Sequence, residues 1–240
     1  MPSLTTPGAV IRFTNYRDHD RMLTILSPIY GRIDALSRGC RKPKSALMPA
    51  SELFVHGEFV VYQNNDRHTL TSCTITDTFY PLRLDPYRLT CASYMAALCN
   101  AAIQPGLAAQ EQYALLLRGL YYLSYDEEAD ALALTTAYLL LFADAIGYRP
   151  RLSRCAHCRT KLDLTFGGQM DVAAGGLCCP NCNSRITYPL TVDEIKWMSI
   201  TLREGLKPTK NTEASTLFDM LRRYVESRLG MSIKVSKFLP

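Results

Sequence analysis

The sequence predicts an α+β protein in which a small five-stranded β-barrel precedes a mainly α-helical domain that carries a cysteine-rich module. Three observations predict it. Residues 1–80 have the composition of short strands, residues 81–240 mostly follow the 3.6-residue period of helices, and two Cys-x-x-Cys pairs interrupt the helical part. With 240 residues, 48% hydrophobic and 20% charged, the chain has an ordinary globular composition. We expect domains at residues 1–80 and 81–240, with the cysteine module at 151–189.

Five segments near the start of the chain are rich in Val, Ile, Thr, Tyr and Phe and are separated by turn-forming residues. They are residues 9–13, 21–26, 32–36, 53–62 and 69–79. Five short strands suit a small closed barrel, because closure removes the sheet edges that would otherwise be left unpaired. The strand count leaves an OB barrel, an SH3-like barrel and a small sandwich open.

Helical periodicity follows. The apolar faces of the first two predicted helices contain Leu89, Ala92, Met95 and Cys99, and then Tyr113, Leu116, Leu120 and Leu123. Residues 132–146 are apolar almost all round, so we expect the most buried helix there, ended by Gly147. Thr191 and Glu194 predict a capping box that opens a further helix.

The last predicted helix is amphipathic. Its expected inward positions are Leu217, Leu221, Tyr224 and Leu229, and its expected outward positions are Arg222, Arg223 and Arg228. These arginines could attract DNA or an acidic tail, but a solvated helix face is the simpler interpretation.

The net charge of +5 permits an anionic partner. Residues 1–80 carry nine Lys/Arg against seven Asp/Glu, residues 81–202 ten against eleven, and residues 203–240 eight against four. The positive excess therefore lies toward the two ends of the chain.

The spacing of four cysteines predicts a metal site. Cys155 and Cys158 form one Cys-x-x-Cys pair, twenty residues follow, and Cys179 and Cys182 form the second pair. Two such pairs typically supply a closed tetrahedral zinc site without an open position for water, so we expect one structural Zn²⁺. A redox dithiol is the alternative, but two pairs flanking a glycine-rich segment favour metal.

The start of the sequence lacks the charged and apolar regions of a secretory signal, and no apolar run approaches the roughly 20 residues of a membrane span. We therefore expect a cytoplasmic protein without a membrane partner, in which thiols are reduced or metal-bound.

A basic loop is the densest positive segment. Four cations lie within seven positions, at Arg38, Arg41, Lys42 and Lys44, with Arg32 upstream and no acid before Glu52. Phosphates would relieve the mutual repulsion, so one interpretation is a loop that follows a nucleic-acid backbone. A solvated loop is equally compatible with the charge pattern alone.

Aromatic residues of the predicted strands could stack on bases, although alternation sends about half of each strand inward. The candidates are Phe13, Tyr16, Phe54, Phe59 and Tyr62.

Several motifs together resemble the bacterial recombination mediator family RecO. They are Arg17-Asp-His-Asp-Arg21 leading into Leu23-Thr-Ile-Leu26, Gly31-Arg32, Leu36-Ser-Arg38-Gly-Cys-Arg41-Lys-Pro-Lys44-Ser45, Gly147-Tyr-Arg-Pro150 leading into the first cysteine pair, and Gly175-Gly176 before the second. The resemblance covers nearly the whole chain. It implies an N-terminal OB fold, a helical domain with a four-cysteine zinc module, and a non-enzymatic role.

The resemblance also implies partners. Members of the family bind single- and double-stranded DNA, anneal complementary strands and, with RecR, help load RecA onto DNA covered by single-stranded-DNA-binding protein. The C-terminal tail of that protein and RecR are therefore expected partners, and RecA an indirect one.

Two positions depart from the family pattern. Arg159 stands after the first cysteine pair, where the family often has glycine, and Cys178 stands beside the expected ligand Cys179. The Cys-x-x-Cys spacing selects Cys179 and leaves Cys178 as a spare thiol.

No catalytic motif is complete. His56 and Glu58 match half of a zinc-deaminase signature, but the cysteine pairs already complete a site of their own. A P-loop also fails, because Pro43 replaces the glycine that must precede the lysine. We expect a protein that is not an enzyme; a zinc-stabilised interaction scaffold is the alternative to a DNA-annealing mediator.

Overall fold

The computed structural model describes residues 3–65, 67–182, 187–208, 213–235 and 239. The chain forms two compact units, residues 1–124 and 125–240. A closed barrel opens the first unit, and helices and a small sheet make up the second, so the predicted α+β class is confirmed. The division at residue 80 stays a prediction, and residues 183–186 of the predicted module 151–189 lie outside the described residues.

All five predicted strands are present. They are β1 (Ser3–Tyr16), β2 (Asp20–Ser27), β3 (Gly31–Ser37), β4 (His56–Asn64) and β5 (Arg67–Asp77). They close in the order β1-β2-β3-β5-β4, with β3 and β5 parallel and the other pairs antiparallel. This strand order is that of an OB barrel. It therefore excludes the SH3-like barrel and the small sandwich, which the strand count had left open.

Strand β1 is longer than predicted because it pairs with two neighbours. Its first part, Ser3 to Ala9, lies against β4, and its second part, Ala9 to Tyr16, lies against β2, with an irregularity after Val10. The predicted strand started at Ala9, whereas Pro7 and Gly8, residue types that are common in turns, lie within the observed strand. The close fit of Gly8, where a Cβ would meet Ile25 Cγ2 at 2.7 Å, instead marks a close approach of two strands.

The barrel interior is apolar. The buried cluster consists of Val10, Leu23, Ile25, Ile33, Ala35, Ala50, Val55, Phe59, Val61 and Leu70. Alternate residues of the strands supply most of these side chains, as the two-residue period requires.

Two helices follow the barrel, α1 (Pro86–Ala102) and α2 (Gln110–Tyr125). The Asp85 carboxylate caps α1 by accepting two backbone N–H bonds at 2.9 and 3.1 Å. The connection between the helices is fixed to the β2–β3 turn, since the N–H groups of Gly106 and Ala109 donate to Tyr30 and Pro28. The first unit therefore joins these helices to the barrel.

Helix α3 (Ala131–Ala145) is the buried centre of the second unit and packs against α4 (Val192–Glu204) and α5 (Glu213–Leu229). Gly147, the predicted stop, lies just beyond the end of this helix and has a left-handed backbone, with φ of +86°. The capping box of Thr191 and Glu194 is present. No helix among the described residues is long and apolar enough to cross a membrane.

A three-stranded sheet lies in the cysteine module: β6 (Gly168–Asp171), β7 (Gly176–Cys178) and β8 (Tyr188–Leu190), in the order β7-β6-β8. Each strand has only three or four residues. The glycines that predicted a turning segment thus flank short strands.

The expected outward face of α5 needs correction. Leu217, Leu221 and Tyr224 are buried as predicted, but Arg222 and Arg228 are half-buried. Arg222 pairs with Asp219 and with Glu226, which lie one helical turn away on either side. Only Arg223 is fully on the exposed side, so the three arginines do not form a free cationic face.

Candidate metal centre and nucleic-acid surface

The four cysteines predicted to bind metal lie together. The Sγ atoms of Cys155, Cys158, Cys179 and Cys182 are all within 4.8 Å of one another, and those of Cys158 and Cys179 are 3.7 Å apart. Four sulfurs around one Zn²⁺ at 2.3 Å would be separated by about 3.8 Å. The geometry and the sulfur-only donor set therefore fit a tetrahedral metal ion.

Backbone hydrogen bonds bring the two cysteine pairs together. Strand β7 leads directly into Cys179, and its Leu177 carbonyl accepts the Ala156 N–H, inside the first pair, at 2.8 Å. Leu177 N–H donates to Arg151, just before that pair, also at 2.8 Å. The first pair is thus attached to the strand that delivers the second.

Hydrogen bonds favour the thiolate at two of these cysteines. The Cys179 N–H donates to Cys155 Sγ at 3.4 Å and lowers the pKa of the Cys155 thiol to about 6. Hydrogen bonds from Thr160 lower the pKa of the Cys158 thiol as well. Thiolate is the form that coordinates metal, so hydrogen bonds favour ligation at these two cysteines. The thiol of Cys182 shifts in the opposite direction, because its contacts with Cys179 and Cys158 raise its pKa to about 12.

Cys178 lies outside the four-sulfur group. Burial raises the pKa of its thiol to about 11. Its neighbours are His157 and Asp171, whose Nε2 and Oδ2 atoms are 3.2 Å apart. The other Asp171 oxygen accepts the Ala174 N–H at 2.9 Å, so this carboxylate ties the β6–β7 turn to the first cysteine pair. No motif spacing in the sequence predicted this contact.

Arg159 has a left-handed backbone, with φ of +63°. Its N–H donates to Cys155 at 3.0 Å and closes the turn of the first cysteine pair. A glycine adopts this conformation without steric cost, which gives a physical reason for the family preference at this position.

The basic loop is exposed and held against the barrel. The side chains of Arg38, Arg41, Lys42 and Lys44 are all exposed, whereas Cys40 is buried beneath them. The Gly39 N–H donates to Asp20 Oδ1 at 2.7 Å, and Arg41 donates from its backbone and side chain to carbonyls of the β1–β2 turn. Glu52, the next acid along the chain, is already paired with Arg21 at 2.7 Å.

Arg32 is not part of this group. It begins β3, whereas Arg38 follows the end of that strand, a separation of six residues or about 20 Å. The Arg32 guanidinium donates to the Asn100 carbonyl at 3.1 Å and lies 3.6 Å from Asp34.

Exposure separates the five candidate aromatics. Phe54 and Phe59 are buried in the barrel, and the Arg21 guanidinium covers the ring of Phe13 at 4.1 Å. Tyr62 is half-buried. Tyr16, the last residue of β1, is 42% exposed next to the turn to which Arg41 is bound, and the Arg17 guanidinium lies 5.2 Å from the centroid of its ring. Tyr16 is therefore the aromatic beside the basic loop that can be reached from solvent.

The fold and the site define a class: an OB-barrel protein in which a helical region carries a four-cysteine, metal-type module. Family profiles agree with it. The one described as "Recombination protein O N terminal" matches residues 1–79, and the one described as "Recombination protein O C terminal" matches residues 83–237.

Curated relatives carry the name DNA repair protein RecO. The chain is 32% identical to that of Moorella thermoacetica over 76% of this chain and 67% of the relative, and 35% identical to that of Acetivibrio thermocellus over 66% and 62%. It is 26% identical to that of Bacillus mycoides over 97% and 94%. The chain therefore belongs to the recombination protein O family, and its role lies in DNA repair and recombination.

Proposed function

We propose that this protein is a non-enzymatic recombination mediator that binds single- and double-stranded DNA and anneals complementary strands. With RecR it would help load RecA onto DNA covered by single-stranded-DNA-binding protein. The observation that carries the proposal is the exposed basic loop on an OB barrel, at Arg38, Arg41, Lys42 and Lys44. An OB barrel with a cationic groove or loop is a common platform for binding nucleic acid without sequence preference.

The loop would act through the phosphate backbone. Each cation that neutralises a phosphate releases condensed counterions, so binding should be strong at low salt and weaken steeply as salt rises. Arg41 also donates to a carbonyl of the β1–β2 turn. Part of the loop is therefore ordered before DNA binds, which lowers the entropic cost of binding. We keep Arg32 as a candidate contact with the smallest expected effect, because its side chain already has acceptors within the protein.

We propose one structural Zn²⁺, bound by Cys155, Cys158, Cys179 and Cys182. Four thiolates complete its tetrahedral shell, so the ion would stabilise the module and leave no coordination position for substrate. The expected partners are DNA, RecR and the C-terminal tail of single-stranded-DNA-binding protein, with RecA affected indirectly. The expected location is the cytoplasm, in association with the nucleoid.

The test is annealing of complementary oligonucleotides coated with single-stranded-DNA-binding protein, measured without ATP against protein and salt concentration. We expect salt-sensitive acceleration. Replacing Arg41, Lys42 and Lys44 together by Ala should reduce the salt slope of single-strand binding by about 2, from three lost phosphate contacts.

A matched control removes three other cations. Replacing Lys196, Arg203 and Lys207 by Ala changes the net charge equally, but these exposed side chains are paired with acids on or near α4. The control should keep the wild-type slope. An unchanged slope in the loop variant would exclude the loop from the DNA site.

Tyr16 should supply a stacking surface beside the loop. Replacing Tyr16 by Ala should weaken single-strand binding by about 1–3 kcal/mol, the usual cost of losing one base–aromatic stack, and should leave the salt slope unchanged. Fluorescence anisotropy with intact and abasic oligonucleotides measures this directly, and Tyr16→Phe is the control. A loss of equal size on abasic DNA would contradict stacking.

An interaction scaffold without annealing activity is the second candidate. One observation favours it: a groove of ≈ 460 Å³ in the first unit, lined by Phe79, Leu117, Tyr121 and Tyr122 with Arg118 among its lining residues. A protein that binds a partner peptide at low salt yet neither binds nor anneals DNA would favour the scaffold.

A further inference from the structure

A hairpin in the cysteine module carries a second group of exposed cations. Residues 153–162 form it, with backbone hydrogen bonds of 2.9 and 3.2 Å across its two arms. Arg154 and Lys161 pair directly across the hairpin as an antiparallel bridge. Like charges in opposite positions of an antiparallel pair destabilise it. A bound anion would remove that cost.

The hairpin contains no acid, and the first one after it is Asp163. Between residues 151 and 162 the sequence has four cations and no Asp or Glu. All four are exposed: Arg151, Arg154, Arg159 and Lys161. Where their side chains bond within the described residues, the acceptors are backbone carbonyls of the same segment, at 3.2 Å for Arg151 and 3.4 Å for Arg154.

Other cations of the second unit behave differently. Each of six forms an ion pair with a carboxylate: Arg149, Lys196, Arg203, Lys207, Arg222 and Arg223. A seventh, Arg228, is half-buried against the carbonyls of Val172 and Ala173. None of the ion pairs in the described part of the chain includes a cation of the hairpin segment. Among the described residues of this unit, most cations are thus neutralised, whereas those of the hairpin segment, like the lone Lys234, form no ion pair.

The proposed metal centre does not supply enough negative charge to balance the segment. Four thiolates and one Zn²⁺ carry a net charge of −2, against +4 on the four side chains. Asp163 follows directly and reduces the excess to about one positive charge, while the buried Asp171 is bonded to His157; the four cations still form no ion pair among the described residues. These cations lie on a backbone that the module holds in place, so binding an anion does not require this part of the chain to become ordered first.

An exposed aromatic side chain lies in the same module. Phe166 is 97% exposed on a turn that is itself well bonded. The Thr165 N–H donates to Asp163 Oδ1 at 3.0 Å, and the Gly167 N–H donates to the Leu164 carbonyl at 3.2 Å. The turn thus holds a large apolar ring in contact with solvent. Such a ring can stack on a flat partner such as an unpaired base.

We propose that the cysteine module is a second binding surface for single-stranded nucleic acid, separate from the basic loop. Its hairpin cations would contact phosphates, and Phe166 would stack on a base. The inference rests on the proposed annealing function and deepens it, because pairing two strands on one protein requires that each strand be held. The whole-region charge count over residues 81–202 hid this surface, since nine of the eleven acids of that range lie outside residues 151–189.

The test is the full-length, zinc-loaded protein with Arg154, Arg159 and Lys161 replaced by Gln. We expect binding of a single oligonucleotide to be retained through the basic loop. Energy transfer between two differently labelled, non-complementary oligonucleotides, which reports two strands on one protein, should fall to background. The slope of log affinity against log salt concentration, measured for the binding of both strands, should decrease by about 2.

Two further variants make the result decisive. Arg154→Lys, Arg159→Lys and Lys161→Arg together keep the charges and should restore the energy transfer; Lys196→Gln, Arg203→Gln and Lys207→Gln remove three paired cations and should not reduce it. Zinc content and thermal midpoint show whether the module is folded in each variant. Retained energy transfer in the folded Gln variant would overturn this inference alone. Absence of any DNA binding by the wild-type protein would instead overturn the proposed function.

Discussion

The OB barrel and the cysteine module both hold exposed cations on a fixed backbone, but they fix that backbone by different means. The barrel does so with five paired strands around a buried apolar cluster, and its basic loop rests on this frame through Arg41 and Gly39. The module has strands of three or four residues and few buried apolar side chains, among them Met170, Leu177 and Leu190. Because this core is so small, we expect the proposed metal ion to be the main stabilising contribution in the module.

Removing the metal ligands should have the largest effect. Replacing Cys155 and Cys179 by Ser should abolish zinc binding and unfold the module, because binding free energies of about 10–16 kcal/mol are folding free energy in such sites. The barrel should keep its structure, since its core is built of side chains alone. Hydrogen exchange of β1–β5 and of residues 151–182, together with zinc content, measures both outcomes.

The control for this experiment is Cys178→Ser. Cys178 is the neighbouring thiol outside the four-sulfur group, so this variant should keep one zinc per chain. A folded double variant that retains one zinc would show that the ligand assignment is wrong.

Removing Arg228 should destabilise the protein less than losing the proposed metal ion does, but more than removing an exposed arginine. It donates to the carbonyls of Val172 and Ala173 and connects α5 to the β6–β7 turn, within the second unit. Replacing Arg228 by Ala should reduce the free energy of unfolding by about 1–3 kcal/mol, because two hydrogen bonds from a charged donor are lost. Urea denaturation measures it.

Arg223→Ala is the matched control for Arg228, since Arg223 is exposed and ion-paired on the same helix. It should cost no more than about 0.5 kcal/mol. Equal losses in both variants would mean that the carbonyl contacts do not hold the turn.

Arg159 should give the smallest effect, and a stabilising one. Replacing it by Gly relieves a left-handed backbone and should stabilise the module by about 0.5–1 kcal/mol after the entropy of the unfolded glycine is counted. Lys44→Gly makes the same comparison in the barrel loop, where φ is +64°. Thermal unfolding checks both, and an equal gain from Arg159→Ala would attribute the effect to charge instead of backbone.

Local patterns predicted the elements of this fold better than its long-range contacts. The barrel strands followed from composition, and the four cysteines from spacing, because both signals lie within short windows. The first half of β1 lay outside the predicted strand, which started at Ala9, because its pairing with β4 is a long-range contact that no local pattern reveals. Arg228 was placed in solvent because the carbonyls that bind it lie more than fifty residues away.

Because β1 pairs with both β2 and β4, the first residues of this strand close the barrel. Residues Ser3 to Ala9 form the seam with β4, while the rest of the strand pairs with β2. Deleting these few residues would leave most of the buried side chains in place, yet it would open the cylinder and free an edge of β4 to template intermolecular pairing. Truncated preparations should therefore be lost to aggregation well before their DNA contacts could be assayed.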